Sequence, residues 1–110
     1  MNQKNKTIKV RFAPSPTGFL HVGGARTAIF NWLFARKHEG EFLIRIEDTD
    51  IERSDGSMVE SIHESMNWLG LSPDEDPVYQ TDNIENHKQA VRRLLGDDKA
   101  YRCFFTPEKL

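Results

Sequence analysis

Cysteine occurs once, at Cys103. The chain alone can therefore build neither a disulfide framework nor a Cys-rich zinc site. It also lacks an excess of positive charge. Fifteen basic residues against 17 acidic ones leave a formal charge of −2, so no global field draws in nucleic acid. Long apolar runs are missing too: the longest are only a few residues, against the roughly 20 that a membrane-crossing helix needs. Met1 to Lys9 is polar and basic with no apolar stretch, unlike a secretory signal, and a cytoplasmic location is expected. No repeat and no low-complexity segment is present. What remains is the composition of a small globular domain. The hydrophobic fraction of 37% and charged fraction of 29% are on the polar side but do not starve a core. A chain of 110 residues makes one domain. A chain of that size buries roughly 65% of its extended surface on folding.

Residues 1–6 form a polar lead-in expected to fray. Ile8, Val10 and Phe12 then alternate with Lys9 and Arg11, the period of a strand, which Pro14 ends. Ala13 to Gly18 reads APSPTG, a stiff loop that cannot be helix. A helix is expected from His21 or Val22, with Ala25, Ile29, Trp32, Leu33 and Arg36 on one stripe and Gly40 just past its end. Phe42, Leu43, Ile44 and Ile46 form a second apolar run, broken only by Arg45, that leads into the acidic Glu47 to Asp50. Strand, helix and strand within about 40 residues read as a βαβ unit with parallel strands and a right-handed crossover. Met58, Val59, Ile62, Met66 and Leu69 predict a second helix, with Ser57 and Glu60 spaced as a capping box and Gly70 and Pro73 as its stop. Ile84, Val91, Leu94 and Leu95 predict a third, opened by Asp82 and Glu85 and closed by Gly96. Between them Ser72 to Gln80 reads as an acidic, proline-bounded linker. A short last strand is expected over Ala100 to Phe105, and the first turn of another helix over Thr106 to Leu110, so the chain reads as the front of something longer.

Ligands of open parallel α/β sheets bind beyond the carboxyl ends of the strands. Two loops leave such ends, Ala13 to His21 and Glu47 to Asp50. The first feeds the amino end of a helix, where free N–H groups and the dipole favour a phosphate. Gly23 and Gly24 stand in that first turn, at a cost of about 1 kcal/mol each relative to alanine. The loop is neither a Walker A nor a GxGxxG. Two readings stay open for these glycines: close approach of a ligand to the backbone, or packing of helix against sheet. His21 reads as a phosphate donor or as a plain surface or capping residue. Arg11 reads as a bidentate carboxylate holder or as a surface arginine. Glu47, Asp48 and Asp50 read as partners for an ammonium group or Mg²⁺, or as a solvated acidic turn.

RFAPSPTGFLHVGGARTAIFNWLFAR, followed by IRIEDTD, resembles the amino-terminal part of bacterial glutamyl-tRNA synthetases, which are class I aminoacyl-tRNA synthetases. The resemblance runs from about Ile8 to Leu110 and takes in WLGLSPDE, VYQT and AYRCFFTPEKL. His21 to Gly24, HVGG, stands at the class I HIGH signature, with Gly24 in place of its second histidine. The resemblance implies an α/β fold, the amino-terminal half of a Rossmann-like nucleotide-binding domain over residues 1–110, a parallel sheet flanked by helices. It implies activation of glutamate by ATP with Mg²⁺ and transfer to tRNA(Glu) by a protein that is monomeric at full length. On matching positions, Arg11 would hold the side-chain carboxylate of glutamate, Ala13 and Ser15 would line its pocket, and Glu47 would take its α-ammonium. Thr17, Gly18, His21, Gly23 and Gly24 would bind ATP, with His21 and Gly23 the catalytic positions that meet charge on the α-phosphoryl group.

The chain departs from the family pattern in places. The KMSKS signature is absent from it, as are the second half of the nucleotide fold and the anticodon-binding domain. Relatives that bind zinc carry Cys-x-Cys where this chain has Cys103 and Phe105, so no zinc is expected. Relatives usually carry an arginine near Asn83, and Asp55-Gly56-Ser57 is an unusual helix entry for them. Two other readings stand beside the synthetase: a paralogue that glutamylates a modified tRNA base, and a non-catalytic ATP-binding remnant or module.

Overall fold

Strand β1 (Lys9–Phe12) opens the fold, followed by helix α1 (Val22–Lys37), strand β2 (Glu41–Ile46), helix α2 (Gly56–Trp68), strand β3 (Val78–Tyr79) and helix α3 (Ile84–Gly96). A 3-10 turn, Gln80–Asn83, leads into α3, and another, Pro107–Lys109, stands at the end. These elements come from a computed structural model that describes residues 7–110. The expected fraying of residues 1–6 lies outside the described residues. The sheet runs β1-β2-β3 with both pairings parallel, Lys9 opposite Glu41 through Phe12 opposite Ile44, then Arg45 opposite Val78 and Ile46 opposite Tyr79. The expected βαβ unit is therefore present, and the fold is α/β.

The core lies on one side of β2. Phe42, Ile44 and Ile46 are buried at alternate positions, so they share one face of the strand. Phe12, Ile62, Met66 and Leu71 join them in one cluster with Ala28 and Ala35. The stripe expected on α1 needs correction. Its buried residues are Ala28 and Ala35, two alanines seven apart, while Leu33 is 51% exposed. Small residues let α1 lie close on the strands, and the larger side chains flank that line of contact.

The helix stops also differ from expectation. At α2, Gly70 takes φ +73, Leu71 N–H donates to Met66 O at 2.9 Å and Gly70 N–H to Asn67 O at 3.0 Å, a Schellman ending as expected for a glycine there. At α1 the left-handed residue is Glu39, φ 51, and Gly40 serves another purpose. A Cβ at Gly40 would lie 2.5 Å from the carbonyl oxygen of Ile8, so glycine admits the close approach of β1. At α3 Gly96 stays helical and Asp98 turns left-handed with φ 54. The amino caps shift as well. Asp55, not Ser57, caps α2, its carboxylate accepting from Ser57 N–H at 2.8 Å. At α3 Glu85 stands in the first turn as expected, Asp82 lies in the 3-10 turn before it, and the opening has no side-chain cap.

The segment read as a linker is ordered and contains β3. Asp74 ties it down: its N–H donates to Phe42 O at 2.9 Å, its carboxylate accepts from Phe42 N–H at 2.6 Å, and Arg36 forks onto it at 2.7 and 3.0 Å. Two residues of strand are too short to show a period, which is why β3 escaped the pattern. The expected strand over Ala100 to Phe105 is absent. That segment is irregular, with Tyr101, Phe104 and Phe105 exposed, and an alternating pattern makes no strand without a partner to pair with. Thr106 to Leu110 holds the 3-10 turn in place of an α-helical first turn.

Candidate active site

His21 sets the entry to α1. It is the N-cap, in extended conformation with φ −107 and ψ 171, and its Nδ1 accepts from Gly23 N–H at 3.1 Å. An accepting Nδ1 carries no proton, so the neutral ring has its N–H at Nε2. The two glycines make room locally. A Cβ on Gly23 would meet His21 Cε1 at 2.9 Å, and one on Gly24 would meet Leu20 Cδ1 at 2.8 Å. What lies against these glycines within the chain is thus the capping ring at Gly23 and, at Gly24, the Leu20 side chain with the Phe12 ring of β1 at 3.8 Å. Val22 and Gly24 N–H find no protein acceptor among the described residues, whereas Ala25 N–H donates to His21 O at 2.9 Å.

The APSPTG loop is strapped down at two carbonyls. Pro14 O accepts from Glu47 N–H at 2.9 Å and Pro16 O from Asp55 N–H at 3.2 Å, with Pro16 fully buried between them. These bonds place the loop after β1 beside the acidic turn after β2. Between the loop and α1 lies a cleft of about 340 Å³. Its apolar side is Phe12, Leu20 and Ile62, and its polar side is Ser15, Thr17 and His21. A second groove, of about 470 Å³, shares Leu20 and His21 and runs along Ala25, Trp68 and Leu69.

The carboxylates of the acidic turn are engaged. Glu47 Oε1 accepts from Arg45 Nη2. Asp48 accepts from Thr81 N–H at 2.9 Å and from Thr81 Oγ1 at 2.6 Å. Burial pushes the Asp48 carboxyl up, but the Thr81 donors together with the backbone N–H groups of Asp48 and Gln80 outweigh it and hold it below the usual carboxylate range. Asp50 accepts from Arg53 N–H at 3.3 Å, and its other oxygen lies 3.6 Å from Arg53 Nη1. No group of three or more His, Cys, Asp or Glu side chains stands ready for a metal among the described residues.

Of the residues singled out from the sequence, Ser15, Thr17, Gly18, His21 and Gly24 line the cleft together. Gly23 contributes from behind, through the N–H that orients His21. Arg11, Ala13 and Glu47 do not line it. Arg11 is exposed near the end of β1, with no ion-pair partner among the described residues. Sequence reasoning missed Arg45, Thr81 and the Ile62 wall. Ile62 had a signal, since it lies on the apolar stripe of α2. Thr81 had none, because its partner is 33 residues away.

The family model for the catalytic domain of class I tRNA synthetases (E and Q) matches residues 7–110. The chain belongs to that family. This synthetase segment is 60% identical over 103 residues to a glutamate–tRNA ligase of Pelobacter propionicus, covering 94% of the chain and 22% of that relative. It is 61% identical over 103 residues to a glutamate–tRNA ligase of Thermodesulfovibrio yellowstonii, with the same coverage of 94% and 22%. A crystal structure of a glutamate tRNA ligase from Elizabethkingia meningosepticum, in complex with its amino acid, superposes with a TM-score of 0.84 at 41% identity over 94% of this chain and 22% of that one. The chain thus spans about a fifth of the length of the relatives it matches. No helix among the described residues is long and apolar enough to cross a membrane.

Proposed function

We propose that the synthetase segment is the amino-terminal half of the Rossmann-like catalytic domain of a cytoplasmic glutamate–tRNA ligase, that its cleft holds ATP, and that glutamate binds at the Ser15 edge of the cleft, reaching beyond its lining to Arg11 and Glu47. The capped entry of α1 carries this reading. It combines free N–H groups at Val22 and Gly24, the positive end of a helix dipole and the Nε2–H of His21, a residue that lines a cleft at the carboxyl ends of parallel strands. The relatives' printed activity supports glutamate and tRNA as the other substrates. Mg²⁺ enters with ATP as part of the substrate.

The reaction has two steps. The α-carboxylate of glutamate attacks the α-phosphorus of ATP, pyrophosphate leaves with the electron pair of the broken P–O bond, and glutamyl-adenylate forms. The terminal ribose 2′-hydroxyl of tRNA(Glu) then takes the acyl group, and AMP leaves. No side chain forms a covalent bond; the protein supplies position and electrostatics. Arg11 holds the side-chain carboxylate of glutamate, Ala13 and Ser15 shape its pocket, and Glu47 takes the α-ammonium. Thr17 and Gly18 line the ATP side with Gly24, and Gly23 N–H keeps His21 in the tautomer that donates to the α-phosphoryl group.

His21 tests this. In a full-length protein carrying this segment, His21→Ala should lower single-turnover adenylation about 10²- to 10³-fold, the scale of one lost transition-state donor, with ATP affinity within a few-fold. His21→Asn keeps a capping side chain and a shorter donor and should recover part of the rate. A loss confined to ATP affinity makes His21 a ground-state contact and overturns its assigned role.

A further inference from the structure

We propose that Arg45 is a positioning residue that orients Glu47 for the substrate ammonium; this rests on the reading of Glu47 given above. Arg45 and Glu47 are two residues apart at the end of β2, so their side chains leave the same side of the chain, opposite Ile44 and Ile46. Arg45 Nη2 donates to Glu47 Oε1. Both side chains are about two-thirds covered, at 34% and 31% exposure. Arg45 Nε is buried with no partner. A guanidinium serving only the surface would turn that N–H to water, because a buried unpaired donor is costly. Arg45 gives up that contact while its outer nitrogen grips one oxygen of Glu47.

The other oxygen, Oε2, has no protein donor among the described residues. The backbone is held at Glu47, whose N–H donates to Pro14 O, and the next side chain, the Asp48 carboxylate, accepts from Thr81 N–H and Oγ1. Glu47 thus has one oxygen fixed and one open. An ammonium meeting Oε2 finds an acceptor whose direction is already set by the charged N–H donor on Oε1. Freed from Arg45, Glu47 would have to be ordered at every binding event, and the loss would fall on amino-acid binding.

The experiment is steady-state aminoacylation of tRNA(Glu) by a full-length protein carrying this segment. Arg45→Gln should raise the KM for glutamate about 10- to 100-fold, the scale of one hydrogen bond to a charged group, with the KM for ATP and kcat within about threefold. Arg45→Lys should restore part of the loss. Inhibition by glutarate, which lacks the ammonium, should be the same for wild type and Arg45→Gln. Equal weakening of glutarate and glutamate makes Arg45 a structural residue and overturns the proposal. An unchanged glutamate KM in Arg45→Gln does the same. Glu47→Gln separates the two levels: if that change leaves the glutamate KM unaltered, it is the reading of Glu47 itself that fails.

Discussion

Residues 7–79 and residues 80–110 carry similar apolar patterning and end in opposite environments. Helix α1 has a poor stripe, with large apolar residues on several sides, yet Ala28 and Ala35 are buried in the core. Helix α3 has the cleaner stripe and buries nothing: Ile84, Val91 and Leu94 are 43%, 53% and 42% exposed. Amphipathic spacing says which face of a helix is ready to be covered. It does not say that a partner is present. Every buried residue of the described chain precedes the 3-10 turn at Gln80. The candidate cleft is lined wholly by the packed part, and the Asp48 carboxylate of that part is tied to Thr81 of the other.

The sharpest way to break this comparison is a pair of truncations in this chain. Phe42 is fully buried, and Phe42→Ala should cost about 3–5 kcal/mol in urea unfolding. Val91→Ala, on the exposed stripe of α3, should cost no more than about 0.5 kcal/mol. A cost above about 1.5 kcal/mol at Val91 would mean that α3 packs in solution.

Glycine substitution gives the next largest effect, with opposite signs in the two regions. Gly40→Ala forces a Cβ within 2.5 Å of a backbone oxygen that cannot rotate away, so β1 must shift, at a cost of about 2–3 kcal/mol. Gly96 is helical with nothing within 4 Å of its missing Cβ, so Gly96→Ala should stabilise by up to about 1 kcal/mol. Urea midpoints moving in the same direction would remove the contrast.

The tie between the regions comes next. Thr81→Val strips Asp48 of its hydroxyl donor at 2.6 Å and should cost about 1–3 kcal/mol, while Thr81→Ser should be close to wild type. Equal stability for both variants would show that the tie carries no load.

The smallest effect is in pH. The Arg36 fork, then the Phe42 N–H, hold the Asp74 carboxyl below its usual range, and Asp48 is lowered as well. A carboxyl lowered on folding stabilises the fold above its unfolded pKa, and that contribution is lost as pH falls through the folded value. Urea midpoints should therefore drop from about pH 5 down toward pH 2, and Asp74→Asn should flatten part of that slope. A wild-type slope unchanged in Asp74→Asn would assign the acid sensitivity elsewhere.

Much of the front region was legible because its signals are local. The strand over Lys9–Phe12, the proline loop, the helix opening at His21 and the second strand each follow from neighbours in sequence. The long-range ties were not legible. Asp74 meets Arg36 across 38 positions and Phe42 across 32, and nothing in the composition of Ser72 to Gln80 marks Asp74 among its acidic neighbours. The stop glycines show the same limit. Gly40, Gly70 and Gly96 look alike as punctuation, and only Gly70 is left-handed.

By itself the sequence determined the α/β order of elements, the loop-then-helix entry that brings Ser15, Thr17, Gly18 and His21 together, and the resemblance that the family match bears out. These depend on contacts a few residues apart, which periodicity, prolines and capping positions report directly. Only the tertiary structure decided which faces are covered, that Asp74 takes Arg36, and that Asp48 reaches Thr81. Those depend on where the parallel sheet brings distant backbone together. Many acidic and basic residues compete for the same partners, and a pair is chosen only once the strands have fixed the distance between them.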